Sequence, residues 1–337
     1  MKRKIIKQGH NTLTVTLPSD WVKRLNVKAG DEMELIEKEH ALILNGLEQP
    51  KSKQAVIEID NYTIPLIWRY FQAAYRAGCD EITVKFDVNK KNYEDAYHFY
   101  TTQFDYAELG EKMPSKPAIM MIQGIVDRFV GLNIIETGKG YCVIREIAQP
   151  STKEFENSLR RVFLITGQML ERVIEVIDSN EKHDVNICKE FHAIDLNVDK
   201  LVDYCCRILN KNVSSFDEQK KMVLFSILFI LELVGDEFKY IGKHFATTKK
   251  GLKDIKSLAV AVKSQFDLCY KLFYTYDRET AILFGKGDCE MYSQHFEMRS
   301  SCSADEKSIA RHLMVMSKFI LSLVELRLQL EFVSTTA

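Results

Sequence analysis

Residues 3–44, RKIIKQGHNTLTVTLPSDWVKRLNVKAGDEMELIEKEHALIL, constrain the fold of this chain more than any other stretch. Four strand-like runs, at residues 4–7, 13–17, 32–37 and 41–44, flank one short amphipathic segment at 20–25. Pro18 closes the second run, because a proline nitrogen cannot donate to a strand ladder. Ser19 or Asp20 is placed to cap the short helix that follows. Ala29-Gly30-Asp31 reads as a turn before the third run. Lys2, Arg3, Lys4 and Lys7 come first, and no carboxylate precedes Asp20, so positive charge gathers on the first strand and its loop.

The order of these elements resembles the AbrB/MazE/SpoVT swapped-hairpin family. The resemblance rests on the basic strand, Lys7-x-Gly9, the alternating strand ending in Leu17-Pro18, the short helix ending in Leu25-Asn26-Val27, and Gly30-Asp31 before the last hairpin. The family usually carries Gly where this chain has Asn26, and Asn tolerates the left-handed backbone that such a position needs. The resemblance implies an obligate homodimer of interleaved hairpins that presents a basic surface to double-stranded DNA. On it, Arg3, Lys4 and Lys7, with Lys23 and Arg24, are expected to contact phosphates, and Asn11, Thr12 and Thr14 to add hydrogen bonds. The physical reading agrees, since a segment this short with few large apolar side chains makes a poor core alone. A small barrel or a strand-rich adaptor with solvated lysines remains the alternative.

A chain of 337 residues suggests two or three domains. Its net charge of −1 excludes bulk polyanion binding, so any nucleic-acid surface is local. Met1-Lys2-Arg3 runs straight into a polar strand, with no secretory signal. The longest apolar run, residues 222–234, contains Ser226 and Glu232; it reads as a buried bundle helix and not a membrane span. The eight cysteines are scattered without a C-x-x-C pair, which fits reduced thiols in a cytoplasmic protein and argues against a zinc site or disulfide framework. His10, His192 and His244 have no His-x-x-x-His partner, and no nucleophile–base pair or cofactor loop stands out, so no enzyme is expected.

After a polar joint at residues 51–54, residues 54–148 read as a small α+β domain. Strands are expected at 55–59 and 81–86. A helix at 65–77 should end at Gly78, a helical connection should span 93–104, and another helix 117–129. A hairpin at 131–136 and 141–146 should turn at Gly138-Lys139-Gly140. No helix follows these glycines, so they read as a turn and not a phosphate loop. The acids and lysines of residues 87–94 read as a solvated connection.

From Ser151 the pattern is helical to the end. Ser151-Thr152 before Glu154 marks an N-cap, and Phe155, Leu159, Val162, Phe163, Thr166, Met169, Leu170, Val173 and Ile177 form one apolar stripe. Further helices are expected at 187–213, 220–245, 252–276, 281–299 and 306–332, in two trios of similar length, residues 152–248 and 252–333. Residues 231–238 and 321–328 align in apolar spacing, with Ser322 opposite Glu232 and Leu326 opposite Asp236.

Glu190, Asp195 and Asp199-Lys200-Leu201 on one of these helices, and Leu231-Glu232-Leu233-Val234-Gly235-Asp236 on the next, resemble PhoU repeats. The expected architecture is therefore multidomain: an AbrB-like swapped-hairpin β domain at 1–46, an α+β domain at 54–148, and an all-α PhoU-like six-helix domain of two three-helix bundles at 152–333. This combination is similar to a group of archaeal regulators. PhoU repeats carry a Glu/Asp-x-x-x-Asp signature that holds metal clusters, and the resemblance implies a divalent metal or iron on Glu232 and Asp236, with Asp195 and Asp199 as additional ligands. Residues at i and i+4 do share a helix face, and two carboxylates there suit a hard cation. Equally, acids at this spacing sit on many solvated helix faces, where Lys200 and Lys239 would neutralise them.

The favoured expectation is a cytoplasmic, dimeric, DNA-binding transcriptional regulator of phosphate uptake with a PhoU-like sensor and no membrane insertion. The alternative is an adaptor that binds no DNA and regulates a phosphate transporter or signalling protein by protein contact.

Overall fold

The computed structural model describes residues 2–9, 11–38, 41–45, 52–90, 93–94, 115–148, 150–179, 185–211, 216–248, 252–298 and 302–334. Two compact units divide the chain, Met1–Ser52 and Lys53–Thr336.

The first unit is two hairpins around one helical turn and a half. Strands β1 (Ile5–Gln8) and β2 (Thr12–Val15) pair antiparallel, as do β3 (Glu34–Lys38) and β4 (Ala41–Asn45). Each hairpin is its own two-stranded sheet. Helix α1 (Ser19–Arg24) starts one residue earlier than the sequence suggests, so Pro18 holds the N-cap position and neither Ser19 nor Asp20 makes the expected cap. Asp20 instead sits in the first turn and Lys23 and Arg24 in the last, the charge order that favours a helix dipole. Asn26 adopts φ +50°, the left-handed conformation expected there, and Gly30 turns the chain at φ +97°.

The second unit begins with a four-stranded sheet in the order β5 (Gln54–Glu58), β6 (Glu81–Lys85), β10 (Tyr141–Glu146), β9 (Leu132–Gly138). Strands β5 and β6 are parallel, joined by α2 (Ile64–Arg76), because parallel neighbours need a crossover. The other pairs are antiparallel. Ile57, Ile82, Val84, Cys142 and Ile144 alternate onto one buried face. Over them lie Ile67, Trp68, Phe71 and Tyr75 of α2 and Met121, Ile122 and Ile125 of α3 (Ala118–Val126). Trp68 stacks on Phe129 at 5.3 Å, and the Tyr75 hydroxyl donates to the Val130 carbonyl at 2.8 Å. The opposite face is more open, with Glu58–Lys85 and Glu81–Arg145 pairs across its strands beside the exposed Val56. The expected turn at Gly138–Gly140 is present, with Gly140 at φ +80°. The expected helical connection is corrected at its start: Tyr93–Glu94 is strand β7, paired with β8 (Ser115–Lys116), and Tyr93 is buried. The rest of that expectation lies outside the described residues.

Six long helices follow: α4 (Thr152–Asp178), α5 (Val185–Asn210), α6 (Glu218–Thr247), α7 (Lys256–Tyr274), α8 (Arg278–Met298) and α9 (Ala304–Ser334). Ser151 and Glu154 form a reciprocal capping box at the start of α4, as their spacing suggests. Helix α5 packs between α4 and α6, α9 packs along α6 and α7, and α8 lies on α7. Two glycines set the approach of α5 to α6. A Cβ on Gly242 would lie 3.0 Å from Cβ of Phe191, and one on Gly235 would lie 2.8 Å from Oδ1 of Asp195. Their spacing of seven residues puts both on the same helix face. Among the described residues no helix is long and apolar enough to cross a membrane.

Candidate functional site

Not one described side chain of residues 2–45 is buried in the single chain. Register explains what this leaves bare. Ile5 pairs with Val15 and Lys7 with Leu13, so these four side chains share one face of the first hairpin. Ile5 and Leu13 are each 68% exposed, and Val15, Leu35 and Leu42 are exposed as well. Apolar side chains this open in so small a unit call for a second surface to cover them.

The expected DNA-contact residues divide between two settings. Arg3 and Lys4 precede β1 and are exposed, Asn11 is an exposed turn residue, and Lys23 and Arg24 are exposed at the end of α1. Thr12 and Thr14 lie on the hairpin face that carries Ile6, and the Thr14 hydroxyl donates to the Ile6 carbonyl at 3.2 Å. Lys7 departs from this group, because strand alternation puts it beside the apolar Ile5, Leu13 and Val15.

The acids singled out on the helical half form a stripe at one edge of α5 and α6. Asp195, Asp199 and Asp203 recur every fourth residue on α5, facing Glu232 and Asp236 of α6. Asp203 continues the i, i+4 series and was visible in the sequence, but its role depends on a partner far away in the chain. Arg76 of α2 donates from Nε to Asp203 at 2.5 Å and from Nη2 to Glu232 at 2.7 Å. Gln72 adds a hydrogen bond to Asp203 at 3.1 Å. Arg128, just past α3, lies 3.5 Å from Asp199 and stacks its guanidinium over Trp68. Lys239 lies 3.0 Å from Oδ2 of the fully buried Asp195 and also pairs with Asp236.

Burial dominates the electrostatics here. It pushes the Asp195 carboxyl up to about 6 against the pull of Lys239, and Asp203 to about 6 against the pull of Arg76. It also raises Asp199, helped by the neighbouring Asp195. Burial works against the Lys239 ammonium, yet Asp195, Asp199 and Asp236 together hold its pKa above the ordinary lysine value.

This arrangement does not fit the metal expected on Glu232 and Asp236 with Asp195 and Asp199. Glu232 turns to Arg76 and Asp236 to Lys239, so the two carboxylates do not converge on a common point. Among the described residues no group of three or more His, Cys, Asp or Glu side chains is arranged to hold a metal ion. The neutralising role open to Lys239 is realised, whereas Lys200 donates instead to the Asp127 carbonyl at 2.9 Å. Glu190 pairs with Arg172 at 2.8 Å, away from the stripe.

Below the stripe, α5 fastens the sheet layer. The fully buried Arg207 donates to Glu146 at 3.0 Å and to the Tyr75 and Cys79 carbonyls at 2.8 and 2.9 Å. It thereby adds a second donor to the Tyr75 carbonyl, which already accepts from the Gly78 N–H at 2.9 Å, and gives the Cys79 carbonyl just past α2 a partner. Lys211 joins Asp80 at 2.6 Å and also reaches Glu146.

Comparison with known proteins locates one similarity. Residues 6–54 match the family described as antidote-toxin recognition MazE, bacterial antitoxin. No curated protein and no solved structure matches the chain.

Proposed function

We propose that this protein is a dimeric DNA-binding regulator in which two copies of residues 1–46 interleave. The carrying observation is the N-terminal unit without a single buried described side chain, next to exposed Arg3, Lys4, Lys23 and Arg24. A second copy would cover Ile5, Leu13 and Val15 while leaving the basic residues in water. The MazE similarity of residues 6–54 supports a DNA-binding regulator or an antitoxin. The finer reading makes phosphate uptake the regulated process, with a PhoU-like helical half as sensor and a phosphate-transport or signalling protein as its partner. It draws on the Glu232-x-x-x-Asp236 signature and on the two trios of long helices. No catalytic step belongs to this reading.

The test is capture of genomic fragments by the full-length protein, followed by sequencing. Enrichment of a defined operator upstream of phosphate-uptake genes is the expected result. A double variant Arg3→Ala, Lys4→Ala should reduce the slope of log affinity against log salt by about one unit per lost phosphate contact. A second reading, protein docking without DNA, draws on Met222, Phe225 and Phe229, which are exposed along one face of α6. Intact dimers that enrich no DNA would favour it.

A further inference from the structure

We infer that the acidic stripe of α5 and α6 is neutralised from within the chain, and that its cations form a metal-independent clamp between the sheet layer and the helical bundle. Three observations combine. Lys239 reaches both Asp195 and Asp236, the position a bridging cation would take between those helices. Arg76 spans Asp203 on α5 and Glu232 on α6, and Arg128 takes Asp199. Two of these three cations come from the sheet layer, Arg76 from α2 and Arg128 from the segment after α3. Each acid of the stripe thus has a cationic neighbour built into the fold, and the layer cannot shift against the bundle without breaking Arg76 or Arg128 contacts.

The pairing divides labour between the helices. Gly235 leaves the space in which Asp195 lies against α6, within reach of the Lys239 ammonium one turn further on. Lysine suits this place, since its ammonium is a compact point charge that can serve two carboxylates at once. Arginine suits the other, since its planar fork can hold two acceptors on different helices. A metal ion would have to displace these groups, which are tethered at high effective concentration.

Elemental analysis and thermal melting of the full-length protein test the clamp. Wild type dialysed against EDTA should carry no stoichiometric metal, and its melting temperature should not move on adding EDTA, Mn²⁺, Zn²⁺ or Fe²⁺. In Lys239→Met the carboxylates of Asp195 and Asp236 lose their shared cation. This variant should melt lower than wild type and recover with a saturable dependence on Mn²⁺, since a ligand that binds only the native state raises its stability. Adding Asp236→Asn should abolish that response. Stoichiometric metal in wild type, or a fall in its melting temperature on chelation, would overturn the inference, as would a folded Lys239→Met that ignores Mn²⁺. Should Lys239→Met fail to fold, the wild-type measurements decide alone.

Discussion

Gly235 and Asp195 are fitted to one another: a Cβ on the glycine would stand 2.8 Å from the aspartate's Oδ1. The contact explains why a small residue precedes Asp236 on α6. Gly235→Ala must push a fully buried carboxylate off its lysine or spread the two helices. Overpacking of this kind costs about 1–3 kcal/mol, measurable as a lower midpoint in urea. Gly285, on the exposed side of α8, meets nothing within 4 Å and supplies the control. There alanine should stabilise by about 0.5–1 kcal/mol, because it removes backbone freedom from the unfolded chain. Equal effects at the two glycines would show that helix propensity, and not the Asp195 contact, governs position 235.

Arg207, fully buried on α5, donates three hydrogen bonds to the sheet layer. Arg207→Met keeps the apolar stem but takes the arginine donor from the Cys79 carbonyl, removes one of the two donors to the Tyr75 carbonyl and weakens the neutralisation of Glu146. Removing one partner of a buried pair costs about 3–5 kcal/mol; Lys211 still faces Glu146, so the lower end is expected. Chemical denaturation reads the loss. Glu146→Gln in the same chain should return part of it, since the two side chains share one network.

Much of this architecture was legible in periodicity. The capping box at Ser151, the turn at Gly140 and the left-handed Asn26 are local features, and local chemistry specifies them. The stripe at Asp195, Asp199, Glu232 and Asp236 was legible too, but its chemistry was not. Arg76 lies 127 residues before Asp203 and 156 before Glu232, and no spacing rule connects them. The i, i+4 pattern states that two acids share a face; only the packing of α2 on α5 states which cation meets them. Lys7 shows the opposite limit. Its charge marked it for DNA, whereas the register with Leu13 sets it beside the apolar face.

The seam between α6 and α9 should respond to acid through His244. Its imidazole lies 5.4 Å from that of His312, whose Nδ1 contacts Glu237 at 2.6 Å. Burial lowers the pKa of His244 below its ordinary 6.5, and His312 and Lys243 lower it further, against the pull of Asp305. The sign follows from proton counting. Above pH 6.5 both folded and unfolded chains carry a neutral His244, and it contributes nothing. As pH falls through 6.5 the unfolded chain takes up the proton first, so stability drops until the folded pKa is passed. His244→Gln should flatten this part of the profile of melting temperature against pH. An unchanged profile would assign the acid response to other groups.

The N-terminal apolar face carries the most direct test of assembly. Ile5, Leu13 and Val15 lie on one side of the β1–β2 hairpin, and nothing in a single chain buries them. If a second copy covers this face, Leu13→Ser with Val15→Ser removes apolar area worth about 25 cal/mol per Å² at each of two symmetric positions, so each substitution counts twice in the dimer. Sedimentation should then show a monomer at concentrations where wild type is dimeric. DNA affinity should fall with it, because two half-sites are no longer held together. Lys4→Ala with Arg24→Ala makes the complementary case: both residues are exposed and off the apolar face, so the dimer should persist while the salt dependence of DNA binding weakens. A variant pair in which the serine substitutions leave the dimer intact would move the dimer contact elsewhere and leave Ile5, Leu13 and Val15 without their assigned partner.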